Sequence, residues 1–323
     1  MKLVVQIPCL NEEKTLGLVL ETIPKKIPGI DEIVILVIDD GSTDKTVAVA
    51  KKHGVKHFVY HPTPQGLARS FSDGITRALE MGADIIVNTD GDNQYPQERI
   101  PELVQPVLDG QADIVIADRQ IKQVQEFSSA KKFFQRFGTK VLNLAAGTKV
   151  PDAPSGFRAY SRDAITRLNV VTRFSYAMET IIQAGNKGLH IHSLKITTNP
   201  KTRESRLFKS PWEHVLKSGS AIIRAFIMYK PYVLFVSIGL VLLIVGLIPF
   251  MRFLYLVGFG HQEGARHLQS LIAGGVLIIG AFVMFALGVI ADLIRINRTL
   301  IEQSLELSKR NLRPEASDPS PRE

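Results

Sequence analysis

Between Leu3 and Ala117, short β-rich apolar runs alternate with stretches of helical periodicity, the pattern of βαβ units and a mostly parallel sheet. It predicts strands at Leu3–Pro8, Glu32–Asp39, Lys56–Tyr60, Asp84–Thr89 and Asp113–Ala117, and helices over Glu12–Lys26, Asp44–His53, Gly66–Met81 and Gln97–Leu108. Ligands of open α/β sheets bind at the carboxyl ends of strands. Asn11, Glu12, Asp39, Asp40, Asp90 and Asp92 all fall there.

Further along, the period changes. Phe127, Ala130, Phe134, Phe137, Val141 and Leu144 recur at helical spacing while Lys131, Lys132, Arg136 and Lys140 carry charge, which predicts an amphipathic helix within residues 126–146. Such a helix suits a lipid surface, and a helix packed on the sheet reads the same way. A second amphipathic stretch, Trp212 to Tyr229, leads into Tyr232–Met251, an uncharged apolar run of 20 residues, and Leu271–Ala291 is another of 21. Each is long enough to cross a hydrocarbon core of roughly 30 Å. The expected organisation is a catalytic or binding domain over residues 1–210, a juxtamembrane helix over 211–230, a transmembrane hairpin over 231–294 and a tail over 295–323, disordered from Arg313.

Charge sets the expected orientation. Lys195, Lys201, Arg203, Arg206, Lys209, Lys217, Arg224 and Lys230 precede the first span, and Arg295, Arg298, Lys309, Arg310 and Arg313 follow the second, against only Arg252 and Arg266 between them. Both termini are therefore expected on the cytoplasmic side. No long apolar segment precedes the first strand, so no cleavable signal peptide is expected. The formal net charge of +8 would fit nucleic acid, but its clustering beside the spans points to a membrane bilayer with anionic headgroups. The single cysteine, Cys9, excludes an intrachain disulfide.

The sharpest chemistry is Asp90-Gly91-Asp92-Asn93-Gln94, directly after a buried apolar run. On an extended segment Asp90 and Asp92 face the same way, and with the amide oxygen of Gln94 they form a hard, oxygen-only set suited to Mg²⁺ or Mn²⁺ on a diphosphate. The same string is also ordinary turn composition. Pro8-Cys9-Leu10-Asn11-Glu12-Glu13 closes the first strand and opens a helix where a nucleotide could dock, though Asn-Glu-Glu is equally a plain helix start. Asp39-Asp40-Gly41-Ser42-Thr43-Asp44 ends the second strand; Asp44 reads as a cap, and Asp39 and Asp40 as acceptors for base or ribose groups.

These three strand ends resemble family 2 glycosyltransferases of the GT-A fold. Pro8 to Glu12 resembles the P-x-x-N-E of that family, Asp39 to Thr46 its D-D-G-S-x-D-x-T, and Asp90 to Asp92 its metal-binding DxD. From the DxD onward the chain resembles the polyprenyl-phosphate sugar synthases, the group of the dolichol-phosphate mannose synthases. Asp90, Asp92 and Gln94 match their D-x-D-x-Q, Asp118-Arg119 stands in the place of their Gly-Ser-Arg, and Ser155-Gly156-Phe157-Arg158 matches their S-G-F-R. Their R-x-x-G-x-S-K segment corresponds to Arg203 through Ser210, without the glycine, so Arg203 and Arg206 compete for one role. The resemblance implies nucleotide binding by Pro8, Asn11, Glu12, Asp39, Asp40 and Asp90, and catalysis through Asp92, Arg119 and Arg203. It places the acceptor phosphate at Arg119, Arg136, Ser155 and Arg203. Glu179 stands where other family 2 enzymes hold a carboxylate for hydroxyl acceptors, and is read here as contacting a sugar hydroxyl or an arginine.

A lipid monophosphate has a second pKa near 6 and arrives largely dianionic, so its transfer needs a metal and arginines rather than a general base. The expected reaction is inverting transfer of one sugar from a nucleotide diphosphate sugar, GDP-mannose or a UDP-hexose, to a polyprenyl phosphate at the cytoplasmic face. Two alternatives stand beside it: a processive polysaccharide synthase, whose Q-x-x-R-W is not met by Trp212 after Pro211, and a non-catalytic membrane-anchored nucleotide-sugar-binding protein. The chain has neither G-x-x-x-x-G-K-[ST] nor G-x-G-x-x-G, which argues against an ATPase or a dinucleotide enzyme.

Overall fold

The computed structural model describes residues 1–120, 138–140, 142–144, 146–170, 176–200, 231–258 and 268–311. Seven strands, β1 (Lys2–Cys9), β2 (Glu32–Asp39), β3 (His57–Tyr60), β4 (Ile85–Asn88), β5 (Ile114–Asp118), β6 (Arg158–Ser161) and β7 (Ile191–Lys195), form one sheet in the order β3-β2-β1-β4-β6-β5-β7. Every pairing is parallel except those of β6, which runs antiparallel between β4 and β5. The first five strands match the apolar runs within a residue or so. Because helices cover both faces, Leu3, Val4, Val5 and Ile7 of β1 and all of β4 are buried whichever way they point, so these strands read as continuous apolar runs.

Around them lie α1 (Leu16–Thr22), α2 (Thr46–Lys52), α3 (Leu67–Glu80), α4 (Ile100–Leu108, entered through a 3₁₀ turn at Gln97–Arg99), α5 (Arg162–Arg167) and α6 (Tyr176–Asn186). The first helix starts later than its sequence pattern predicts. Asn11 takes a left-handed φ of 55°, and the amides of Asn11, Glu12 and Glu13 donate to Ser42 Oγ, Thr46 Oγ1 and Asp44 Oδ2 at 2.9, 2.7 and 3.1 Å. Side chains of the neighbouring loop thus take amides that an earlier helix start would have left for water.

Of the 126–146 helix, residues 138–140, 142–144 and 146 are described and helical. There Leu142 is buried and Leu144 is 70% exposed. The remainder of that helix, the 211–230 helix and the tail from Arg313 lie outside the described residues.

Two compact units divide the chain, Met1–Ile222 with Glu302–Glu323, and Ile223–Ile301. The second unit holds α7 (Pro231–Gly258) and most of α8 (Leu268–Arg310), both long and apolar enough to cross a membrane. They meet through small residues: a Cβ on Gly246 would lie 2.8 Å from Leu277 Cβ, and one on Gly274 would lie 2.9 Å from the Gly246 carbonyl oxygen. Close approach of this kind suits helices in lipid, where packing rather than water exclusion holds them together. The last turns of α8 belong to the first unit. There Glu302 pairs with Lys187 at 3.2 Å, Arg310 with Asp163 at 2.8 Å, and Lys309 donates to the Leu168 carbonyl at 2.6 Å. Burial, reinforced by the Lys187 charge, pushes Lys309 down to about 8.

Candidate active site

The parallel strands β1, β2, β4 and β5 all end at one edge of the sheet, and β6, running the other way, begins at that edge. Arg158, its first residue, pairs with Asn88 at the end of β4, and the Ala117 amide donates to the Phe157 carbonyl at 3.0 Å. This reversal carries Ser155-Gly156-Phe157 to the edge where Asp90 and Asp92 emerge. A Cβ on Gly156 would lie 3.0 Å from the Tyr176 hydroxyl and 3.1 Å from Asp90 Oδ2, so the turn approaches the carboxylate as closely as a bare backbone permits. Asn88 Nδ2 donates to the Gly156 carbonyl and to the Tyr176 hydroxyl, each at 2.9 Å, and the Gly156 amide donates to the Tyr95 hydroxyl at 3.0 Å. Burial, with the Asp90 charge behind it, pushes the Tyr176 phenol well up, so it stays neutral beside the carboxylate.

On the β1 side, Thr15 Oγ1 donates to the Gly91 carbonyl at 2.8 Å and lies 2.9 Å from Glu12 Oε2. Glu12 and Cys9 are buried, and burial together with the charges of Glu12, Asp39 and Asp90 raises the Cys9 thiol well above its usual range. Asn11 Oδ1 accepts from the Thr43 amide at 2.8 Å, tying the loops after β1 and β2 together. Pro8 is part of β1, in register with Ile38.

The acidic pair after β2 divides its labour. Asp39 Oδ1 accepts from the Ser42 amide at 3.2 Å. Asp40 is committed to the protein: Oδ1 takes the Gln65 amide at 2.8 Å and lies 2.7 Å from His61 Nδ1, while Oδ2 takes the Gly66 amide at 2.9 Å. His61 Nε2 in turn lies 3.0 Å from Asp73 Oδ2. Asp40 therefore shapes the loop between β3 and α3. Within the DxD, Gln94 donates from its amide to Asp92 Oδ1 and from Nε2 to Asp92 Oδ2, at 3.1 and 2.9 Å, fixing that carboxylate. Among the described residues no group of three or more His, Cys, Asp or Glu side chains gathers around a common point. A pair of carboxylates with oxygen donors only fits a hard divalent ion that takes its other ligands from a diphosphate.

Arg119, just past β5, is gripped by Asp152. Nε and Nη2 donate to the two carboxylate oxygens at 2.7 and 2.9 Å, and the Arg119 amide adds a third bond at 3.1 Å. Asp152 is fully buried, while the Arg119 side chain is 16% exposed. Burial opposes the guanidinium charge, but the acidic groups of Tyr95, Asp152 and Asp90 outweigh it and raise the Arg119 pKa above its ordinary value. Three residues beyond Asp152 in the same turn, the buried Ser155 hydroxyl has no hydrogen-bond partner among the described residues. Arg158, also fully buried, donates to the carbonyls of Ala153, Ser155 and Ala177 and to Thr180 Oγ1 at 2.6 to 3.0 Å, which staples that turn to α6. Glu179, on α6, is buried, with Gln183 Nε2 at 3.4 Å from Oε1. Arg136, Arg203 and Arg206 lie outside the described residues.

Sequence reasoning passed over Asp152, Tyr95, Tyr176 and Asn199. Asn199 donates from Nδ2 to the Asn93 carbonyl at 3.1 Å and from its amide to the Gln94 carbonyl at 2.9 Å, bracing the DxD loop from 106 residues away in sequence. For Asp152 a signal existed: it sits between Pro151 and Pro154, three residues before Ser155.

The model of the family described as "Glycosyl transferase family 2" matches residues 4–168. A low-salt glycan biosynthesis hexosyltransferase, Agl6, of Haloferax volcanii is 29% identical over 88% of this chain and 67% of that protein. A dolichyl-phosphate hexose transferase of the same organism is 26% identical over 66% of this chain and 89% of its own. Among solved structures, glucosyl-3-phosphoglycerate synthase from Mycobacterium tuberculosis, in complex with Mn²⁺, UDP-glucose and phosphoglyceric acid, shares the fold with a TM-score of 0.54 at 23% identity, over 69% of this chain and 78% of that one. The strand-end motifs, the sheet order and these similarities agree: the chain is a glycosyltransferase and belongs to glycosyl transferase family 2.

Proposed function

We propose that the chain transfers one hexose from a nucleotide diphosphate sugar to a polyprenyl phosphate, with inversion, at the cytoplasmic face of the membrane that its apolar helices anchor it to. The observation that carries this reading is the contact of Gly156 with Asp90. It sets the turn bearing Ser155 and Asp152, which holds Arg119, beside the first carboxylate of the DxD, an arrangement that would suit two phosphate-bearing substrates. The relatives' names support a hexosyl donor and a lipid phosphate acceptor.

Asp39 and the loop after β1 would receive the nucleotide, and Asp90 and Asp92 would hold Mg²⁺ or Mn²⁺, with Gln94 keeping Asp92 in place. That ion would neutralise the leaving diphosphate. On the acceptor side, Arg119 offsets the repulsion between the incoming phosphate and the donor, joined in this proposal by Arg136 and Arg203. An oxygen of the acceptor phosphate forms the new bond to the anomeric carbon as the bond to the diphosphate breaks, and the electron pair leaves with the nucleotide. The nucleophile is already ionised, so Glu179 has no proton to remove; its burial suits holding a sugar hydroxyl or a neighbouring side chain. The test is incubation of membranes containing the chain with polyprenyl phosphate, Mg²⁺ or Mn²⁺ and labelled GDP-mannose, UDP-glucose and UDP-N-acetylglucosamine. Label in an acid-labile lipid is the expected product; label in polymer would favour a processive synthase, and bound donor without turnover a binding protein.

A further inference from the structure

We propose that Asp152 is a positioning residue of the acceptor site: its buried carboxylate grips the Nε–Nη2 edge of Arg119 and so fixes which N–H groups of that arginine an acceptor phosphate meets. The inference rests on the reading of the acceptor as an anionic phosphate.

A guanidinium offers five N–H donors in a rigid fork. Two of them, on Nε and Nη2, are used by Asp152 in a bidentate pair. Among the described residues nothing takes the two Nη1 protons or the second one on Nη2, so the pair halves the choice of edge without using up the donors. The anchor itself is rigid, since Asp152 has no exposed side-chain surface and also accepts from the Arg119 backbone amide. The Ser155 amide folds back on the Asp152 carbonyl at 3.4 Å, closing the turn. That turn carries the Ser155 hydroxyl, a fully buried polar group with no partner among the described residues. Leaving such a group unsatisfied is unfavourable, and a phosphate oxygen reaching this turn would satisfy it. The carboxylate that holds the arginine on one edge and the hydroxyl lie in one turn, against Asp90 through Gly156. A long, flexible arginine without the carboxylate would lose this preorganisation, and binding would have to supply the ordering entropy.

The test uses the full chain in detergent with polyprenyl phosphate, Mn²⁺ and whichever labelled donor supports transfer, comparing Asp152→Asn and Asp152→Ala with the unmutated protein. Asp152→Asn keeps the shape and one acceptor oxygen. Its KM for polyprenyl phosphate is expected to rise about tenfold or more, the scale of one charge-assisted pair, while its donor KM changes less than about twofold. Asp152→Ala should follow the same split more severely. An unchanged acceptor KM in Asp152→Asn, or equal losses toward donor and acceptor in both variants, would overturn the positioning role while leaving the transferase reading intact. Absence of lipid product from the unmutated chain with every donor would overturn that reading and the role assigned to Asp152 with it.

Discussion

Gly156 stands against Asp90 so closely that a methyl group in place of its hydrogen would come within 3.1 Å of the carboxylate and 3.0 Å of the Tyr176 hydroxyl. The tyrosine has little room to retreat, because Tyr176 is stacked on Phe71 with ring centroids 4.1 Å apart.

Gly156→Ala should therefore displace Asp90 by a few tenths of an ångström and disturb the metal site from the acceptor side. Misplacement of about 1 Å at a reacting centre costs about 100-fold, so a loss of about tenfold in transfer is expected, with a higher Mn²⁺ requirement. Activity titrated against Mn²⁺ checks this; unchanged metal dependence would show that the contact is tolerated.

Asp92→Ala should abolish transfer while leaving a folded, membrane-bound protein, and excess EDTA should do the same to the unmutated chain. Asp92 sits in a loop braced by Gln94 and Asn199 rather than in the core, so its loss removes chemistry more than stability. Full transfer in EDTA would remove the metal from the mechanism.

Glu179→Gln is expected to keep at least about a tenth of the activity, because an ionised phosphate makes a base of this kind, normally contributing about 10²–10⁴-fold, superfluous. Arg119→Ala should lose far more, and also stability: it strands the buried Asp152 carboxylate, and breaking a buried pair from one side costs about 3–5 kcal/mol. The double variant Arg119→Ala with Asp152→Asn should recover thermal stability but not transfer. A dead Glu179→Gln beside an active Arg119→Ala would point to a hydroxyl acceptor instead.

Lys309 supplies a pH dependence with a definite sign. Its pKa in the folded protein, about 8, lies below the ordinary value of 10.5, so the unfolded chain binds more protons between those limits. Stability from this group should rise as pH increases from 8 toward 10.5 and be flat below 8, by on the order of 1–3 kcal/mol. Thermal unfolding of the full chain against pH, minus that of Lys309→Met, isolates the effect. A difference that fails to grow above pH 8 would mean the ammonium is solvated.

Much of the fold was readable along the chain, for a local reason. Strands buried on both faces are nearly continuous apolar runs, so β1, β2, β4 and β5 announced themselves, and their ends carried the acidic motifs. By contrast β6 is four residues, Arg158 to Ser161, whose arginine is satisfied by carbonyls of a nearby turn and a helix; neither periodicity nor propensity marks it as a central strand. Its insertion between β4 and β5 is a non-local choice, and the partnership of Asp152 with Arg119, 33 residues apart, depends on it. The acidic pair was legible only in part. Asp39 and Asp40 look equivalent in sequence, and only the path of the loop through His61 and Gly66 shows that both Asp40 oxygens bond within the protein while Asp39 accepts from the Ser42 amide.

The glycines at 246 and 274 give the pair of long apolar helices a property of its own. A pairing made by small residues fitting against the facing helix is written into the two helices themselves, in the glycines that let them approach. A pair of this kind, set in a bilayer, would be a portable anchor. Grafted onto a soluble protein it should still insert as a matched pair, which leaves the membrane address and the chemistry open to exchange independently.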